Sequence, residues 1–218
     1  MAQETEIKLR ISDAKALRQK LKRLGARRLA GGGGRVHEWN IIFDTPQGGL
    51  AKHGQLLRIR TETPDQGLKK HAPRKGQRVV LTFKRPVIAS IASMDQAIEP
   101  RRHKVREEIE VQVADGEVLA RIFEGLGMSG WFRYEKFRTT FELPASVRWA
   151  KGLLIELDET PIGTFVELEG PPEAIDRAAR ELGYSKRDYI LKNYLALYLE
   201  QSRRQGQEPR DMIFPPTK

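Results

Sequence analysis

The 218-residue sequence predicts an α+β fold, a β-barrel with a charged interior and helices packed outside it. Two observations carry that prediction. Seven strand candidates alternate ionisable and apolar residues with a period of two, so each presents one charged and one apolar face. Between and after them lie segments whose apolar residues recur at helical spacing and can cover the apolar faces. If the charged sides of such a sheet face a shared space, the sheet closes into a barrel with an inverted interior.

The elements follow in order. In ETEIKLRIS, Glu4, Glu6, Lys8 and Arg10 share one strand face opposite Thr5, Ile7, Leu9 and Ile11. SDAKALRQKLKRLGA reads as a helix with Ser12 or Asp13 as N-cap, a stripe of Ala16, Leu17, Leu21 and Leu24, and Gly25 as its stop. The four glycines at 31–34 mark a flexible connection. RVHEWNIIFDT reads as a strand ending at a turn over 46–49, and GQLLRIRTE as its neighbour, with Arg58 and Arg60 opposite Leu57 and Ile59. Beyond a basic loop at 64–78, VVLTFKRP sets Lys84 beside Thr82 and Val80, opposite Val79, Leu81 and Phe83. A second long loop, at 90–104, leads to HKVREEIEVQV, where Arg106, Glu108, Glu110 and Gln112 oppose Val105, Ile109, Val111 and Val113 and only Glu107 breaks the pattern.

DGEVLARIFEGLG then forms a second helix. Three more strands follow: YEKFRTTF with Lys136 and Arg138 on one face, LLIELDE with Glu156 and Asp158, and FVELEG with Glu167 and Glu169. A helix over 172–182 and an amphipathic helix in RDYILKNYLALYLEQ close the domain, which is expected to span 1–201; the polar remainder, 202–218, is expected to be a disordered tail.

One solvated strand face is ordinary, but a charged face on nearly every strand is expensive if enclosed, unless the charges pair or bind ions. The interior would hold the carboxylates of Glu4, Glu6, Glu108, Glu110, Asp158, Glu167 and Glu169. Facing them would be the cations of Lys8, Arg58, Arg60, Lys84, Arg106, Lys136 and Arg138. Hard divalent cations on the first set and a polyanion on the second satisfy both halves; phosphate chains with magnesium or manganese fit that description. The alternative is a purely structural lattice of ion pairs.

Composition bounds the partners. With 39 Lys and Arg against 29 Asp and Glu the chain carries a formal charge of +10, which favours anionic ligands. It has no cysteine, which excludes disulfides, thiolate metal sites and cysteine nucleophiles. Neither an export signal nor an apolar run of about 18 residues is apparent, so a cytoplasmic protein without a membrane partner is expected. The glycines at 31–34 lack the Gly-Lys-Ser/Thr ending of a P-loop, and His37, His53, His71 and His103 lack metal-ligand spacing. The tracts KKHAPRK and RRHK read more readily as solvated loops or substrate-steering charge than as nucleic-acid contacts.

Against that background, ETEIK resembles the Glu-x-Glu-x-Lys motif of the CYTH, or triphosphate tunnel metalloenzyme, superfamily. The later elements resemble the family's in order: FDTPQGGLAKHGQLLRIR its Asp-Thr turn and paired arginines, LTFKRP its strand lysine, REEIEV its central acidic strand. EKFRTTF, IELDETPIGTFVELEG and YILKNYLAL complete a resemblance over roughly 4–200. It implies an eight-stranded antiparallel barrel forming an open tunnel. By matching position, it implies metal ligation by Glu4, Glu6, Glu108, Glu110, Asp158, Glu167 and Glu169. Lys8, Arg58, Arg60, Lys84 and Arg138 would bind phosphate and act in catalysis, with Arg106, Lys136 and, from the closing helix, Lys192 as further substrate contacts.

The expected activity is metal-dependent cleavage of a phosphoanhydride bond, with two Mg2+ or Mn2+ ions and a small-molecule triphosphate or nucleotide as substrate. Hydrolysis of inorganic triphosphate, thiamine triphosphate or a nucleoside triphosphate stands slightly ahead of cyclisation of ATP to cyclic AMP and pyrophosphate. A noncatalytic polyphosphate or nucleic-acid binding module is the remaining class, and the inward carboxylates serve it poorly.

Overall fold

A computed structural model describes residues 2–29, 34–65, 76–87 and 103–216. The glycines at 31–33, His71 and most of both long loops lie outside the described residues, so the expectations for them are not taken further.

Among the described residues nine strands form one antiparallel sheet: β1 (Ala2–Ile11), β2 (Arg27–Arg28), β3 (Arg35–Asp44), β4 (Leu56–Pro64), β5 (Arg78–Pro86), β6 (Lys104–Val113), β7 (Ser129–Glu142), β8 (Leu154–Thr160) and β9 (Gly163–Glu169). Their order is β2-β7-β3-β4-β5-β6-β1-β9-β8, and an additional β7–β8 pairing closes eight of them into a barrel with β2 left outside the ring. The predicted eight-stranded antiparallel barrel is therefore present. β1 sits between β6 and β9, with Glu4 opposite Arg106 and Lys8 opposite Glu167.

Helices cover the outside as the alternation requires. α1 (Ala14–Arg23) is capped by Asp13, whose side chain accepts from the Ala16 N–H at 2.9 Å, and its C-terminal turn leads into Gly25 at φ +72°, a left-handed position that favours glycine. Together with α4 (Pro172–Glu181) it buries the outer faces of β1, β8 and β9 in one core containing Ile7, Leu9, Leu17, Leu21, Ile155, Leu168 and Ile175. A short α2 (Gly49–Lys52) follows β3, and α3 (Gly116–Gly125) packs Phe123 against Phe43 and Ile59. No helix among the described residues is long and apolar enough to cross a membrane.

Two expectations about the C-terminal region are corrected. The closing helix, α5, spans Tyr194–Arg204 and begins later than the apolar spacing suggested. Ile190 instead exchanges backbone hydrogen bonds with Lys8, at 3.0 and 2.9 Å, which keeps it out of the closing helix, and before it only a short 3-10 turn forms, over Lys186–Asp188; Asn193 then caps α5 by accepting from the Ala196 N–H at 2.8 Å. Nor is the chain beyond Ser202 free. Met212 is buried, donates to Arg133 O at 2.9 Å and accepts from Glu135 N–H at 3.1 Å, while Phe214 N–H reaches Glu135 Oε1 at 2.6 Å. This strap lies parallel to the β7 segment before its pairing with β8 begins at Phe137, a stretch whose outer edge would otherwise leave backbone groups unpaired.

Candidate active site

A cavity of about 420 Å³ runs inside the barrel, lined from every barrel strand and from the start of α5. Period-two alternation puts the charges there, because the opposite faces of most barrel strands are committed to the outer cores, although β6 leaves Ile109 and Val111 exposed.

The charges form linked clusters. Arg138 is the hub of one: its Nε lies 2.7 Å from Asp158 Oδ1, and it also contacts Glu38, Glu156 and Glu167. Asp158, fully buried, additionally accepts from Lys136 Nζ at 2.8 Å and from Tyr194 OH at 2.7 Å. Lys8 lies between Glu167 at 2.9 Å and Glu6 at 3.2 Å, and Glu6 also meets Lys104. Lys84 reaches Glu4 at 2.6 Å and Glu108 at 3.1 Å. On the neighbouring strand Arg58 donates to Tyr134 OH at 3.0 Å and Thr82 Oγ1 at 3.3 Å, while Arg60 lies 3.3 Å from Glu110.

Thirteen of the fifteen residues singled out by sequence reading or family resemblance thus come together around one space. Arg106 shares the face, but its guanidinium donates to Gly54 O at 2.9 Å and lines a separate smaller cavity. Lys192 is exposed and pairs with Glu200, because it precedes α5 rather than lying on its inner side. Asp158 is present but sits behind the cavity wall with both oxygens engaged, so it anchors cations rather than offering a free metal position.

Glu38, Lys104 and Tyr134 line the cavity without having been singled out. Each had a legible signal in the two-residue period: Glu38 alternates with His37 and Trp39, Lys104 extends the Arg106–Glu108 row backwards, and Tyr134 extends the Lys136–Arg138 row.

The network is not a closed set of pairs. Glu169 has no hydrogen bond or ion pair among the described residues, and burial, with Glu156 and Glu4 adding repulsion, pushes its carboxyl up to about 8. Burial likewise pushes Glu108 up to about 7, where Glu4 and Glu110 add to it against the pull of Lys84. Glu156 also rises to about 7: burial leads, and Arg138, shared among four carboxylates, does not neutralise it. Conversely, Lys8 overcomes burial to hold Glu6 down at about 2, and Lys136 and Arg138 do the same for Glu38. On the cationic side Arg58 is buried, yet its Nε has no hydrogen-bond acceptor among the described residues.

These shifts set a pH dependence. Glu108, Glu156 and Glu169 keep their protons in the fold well above the ordinary carboxylate value of 4.5. The stability they contribute is complete below that value and is lost as pH rises through about 7 to 8. Glu6 and Glu38, held low, contribute above 4.5 and lose it as pH falls toward 2. In metal-free buffer the thermal midpoint should therefore fall between about pH 5 and pH 8, and fall less in Glu169→Gln. Scanning calorimetry checks this; equal slopes in both proteins would refute the assignment to Glu169.

The donor chemistry suits a hard divalent cation. Glu4, Glu108 and Glu169 are oxygen donors in mutual repulsion, and the Lys84 ammonium already occupies a cationic position between two of them. Among the described residues no three acidic or histidine side chains form a finished cage, so ligation requires Glu4 and Glu108 to leave Lys84.

Comparison with known proteins gives four findings. A family model described as CYTH domain matches residues 2–194. A Methanocaldococcus jannaschii protein named "putative adenylate cyclase" is 27% identical over 198 residues, covering 89% of this chain and 97% of that protein. Among solved structures, the PH1819 protein of Pyrococcus horikoshii is 25% identical with a TM-score of 0.65, over 91% of this chain and 99% of the other. A Hippeastrum protein described as a "putative adenylyl cyclase" with a dominant triphosphatase activity shares the fold at 21% identity and a TM-score of 0.53, over 94% and 97%.

Proposed function

This chain belongs to the CYTH domain family, and on that premise we propose that it is a divalent-metal-dependent enzyme cleaving a phosphoanhydride bond of a triphosphate. The observation that carries the proposal is the incompleteness of the tunnel's charge pairing. A wholly structural lattice would leave neither a tunnel carboxylate without a cation nor a buried guanidinium donor without an acceptor, yet among the described residues half-buried Glu169 and the buried Arg58 Nε are in those conditions. One missing cation and one missing anion complete the set.

In this reading Arg58 and Arg60, two residues apart on β4, face the phosphate chain together, and the planar guanidinium of Arg58 offers its spare Nε donor to a phosphate oxygen. Lys8, Lys84 and Arg138 neutralise the remaining charge from three other strands. Glu4, Glu108 and Glu169 would hold Mg2+ or Mn2+, which supplies charge neutralisation and an activated or oriented attacking oxygen. Glu6, Glu110 and Glu167 enter the metal site only if they release the cations they hold here. With Glu4 and Glu108 committed to a cation, Lys84 would be left to face the polyanion.

Hydrolysis is the leading reaction: water attacks the terminal phosphorus, the bond from that phosphorus to the bridging oxygen breaks, the diphosphate portion leaves, and the attacked group is released as orthophosphate. The name of the 27% identical relative favours a second reading, attack of a ribose 3′ hydroxyl on the α-phosphorus with pyrophosphate leaving. Incubation with ATP, inorganic triphosphate and thiamine triphosphate, with magnesium or manganese, separates them. Orthophosphate supports hydrolysis; cyclic AMP with pyrophosphate supports cyclisation. Absence of metal-dependent turnover on all three substrates would sink both.

A further inference from the structure

Apolar exposure is concentrated on one part of the barrel's outside. Of the eight large apolar side chains exposed among the described residues, five lie on β6 or α3: Ile109 and Val111 on the strand, Val118 and Ile122 on the helix and Leu126 at its C-cap. Their exposure runs from 47% at Ile109 to 69% at Leu126. Scattered singly, such residues would need no explanation, but these five adjoin.

α3 starts over β5, where Gly116 approaches Val79 and Ile59, and its last turn sets Phe123 edge-on to Phe43 of β3 at 5.2 Å between ring centres. It therefore crosses β5, β4 and β3 obliquely and leaves β6 uncovered. Cross-strand register sets Ile109 beside Phe83 and Val111 beside Leu81, so the uncovered corner is a continuous apolar floor. With Leu119, Ala120 and Phe123 facing inward, the right-handed phase of the helix turns Val118, Ile122 and Leu126 to the flank above that corner. The backbone is open here as well. β1 pairs with β6 only as far as Ala2 opposite Glu108, and from Ile109 to Val113 the strand is paired, among the described residues, with β5 alone.

Three features point to what covers this surface. It holds both a ridge, the α3 flank, and a shallow floor beside it, so a two-fold rotation lays the ridge of one copy on the floor of another and repeats the contact in return. The charges around it nearly cancel: Arg85 pairs with Glu107 at one end, and Glu117, Arg121 and Glu124 lie along α3. On a chain of formal charge +10, this is a face where two copies meet without strong repulsion and where a polyanion finds little attraction. Finally, five side chains about half exposed present on the order of 400 Å² of apolar surface, which with a polar rim approaches the ~800 Å² per partner of a stable interface.

We propose that the outer face of β6 and the exposed flank of α3 form the contact between two copies of this chain in a symmetric dimer. The opposite face of the same strand turns Glu108 and Glu110 into the tunnel, so the contact braces a strand of the candidate site from outside while each copy keeps its own tunnel.

Sedimentation velocity over a concentration series tests this on the full-length protein without ligand. The wild type should sediment as a dimer. Ile122→Glu and Val111→Glu, each placing a charge within the apolar contact, should each raise the dissociation constant at least about tenfold with an unchanged far-UV circular dichroism spectrum. Ile213→Glu, which alters an exposed apolar residue on the C-terminal strap, should leave association as it is. Should Val111→Glu fail to fold, Ile122→Glu, at an exposed helix position, carries the test alone. A wild type that stays monomeric at every concentration overturns the proposal and leaves the face to residues 88–102 of the same chain or to a different protein. A dimer that survives both substitutions overturns it too, because its contact then lies elsewhere.

Discussion

Asp158→Asn is expected to cost about 3–5 kcal/mol of stability, the usual penalty for breaking a buried charge pair from one side. Asp158 is fully buried and accepts from Lys136, Arg138 and Tyr194, so the neutral amide removes one charge from a sealed cluster and leaves Lys136 and Arg138 to share Glu38, Glu156 and Glu167. Its amide NH2 also faces donors where acceptors are needed. For a chain of this length the thermal midpoint should drop by on the order of 10 °C. Glu200→Gln, which breaks only the surface pair with Lys192, should leave the midpoint where it is. Thermal melts of the two variants decide the matter, and a negligible loss in Asp158→Asn would mean that the cluster is solvated rather than sealed.

Glu4→Gln should have the opposite profile, a folded protein with turnover reduced at least ~100-fold, since loss of a metal ligand should exceed the usual effect of losing its outer-shell support. Glutamine retains an oxygen that can accept from Lys84, which also keeps Glu108 at 3.1 Å, so no charge is stranded. One source of repulsion on Glu108 and Glu169 disappears as well, and stability should hold or rise. Steady-state kinetics across a metal titration tests this; wild-type metal dependence in Glu4→Gln would remove Glu4 from the site.

The contrast between these two carboxylates shows where the sequence is informative. Period-two alternation identifies which side chains face inward, because register fixes facing once the opposite side is apolar, and Glu4 and Asp158 are equally visible that way. Depth within the barrel is not written in the alternation. It depends on strand tilt and on which neighbours cross over, so Asp158 ends behind Arg138 and Lys136 while Glu169, on the adjacent strand, stands without a partner. Lys192 illustrates a second limit. Its apolar neighbours have helical spacing, but Ile190 spends its backbone groups on Lys8, a pairing between residues far apart in sequence that no local pattern announces. The strap at Met212 escaped for the same reason: its polar composition argues for disorder, and one buried methionine with an open β7 edge overrides it.

The position of β1 between β6 and β9 has a consequence for how the chain is made. β1 is synthesised before either of its neighbours and is paired on both sides only once β9, which ends at Glu169, has been made. At about 5–20 residues per second, Ile7, Leu9 and Ile11 wait on the order of 10–30 s before their second neighbour exists. A bare apolar strand held open that long is an aggregation hazard. Glu4, Glu6, Lys8 and Arg10, interleaved with it residue by residue, act during synthesis as gatekeepers against self-association. The same alternation that later furnishes a tunnel wall thus protects the nascent chain before any tunnel exists, and an N-terminal strand stripped of those charges should aggregate during synthesis even where the finished barrel would tolerate the change.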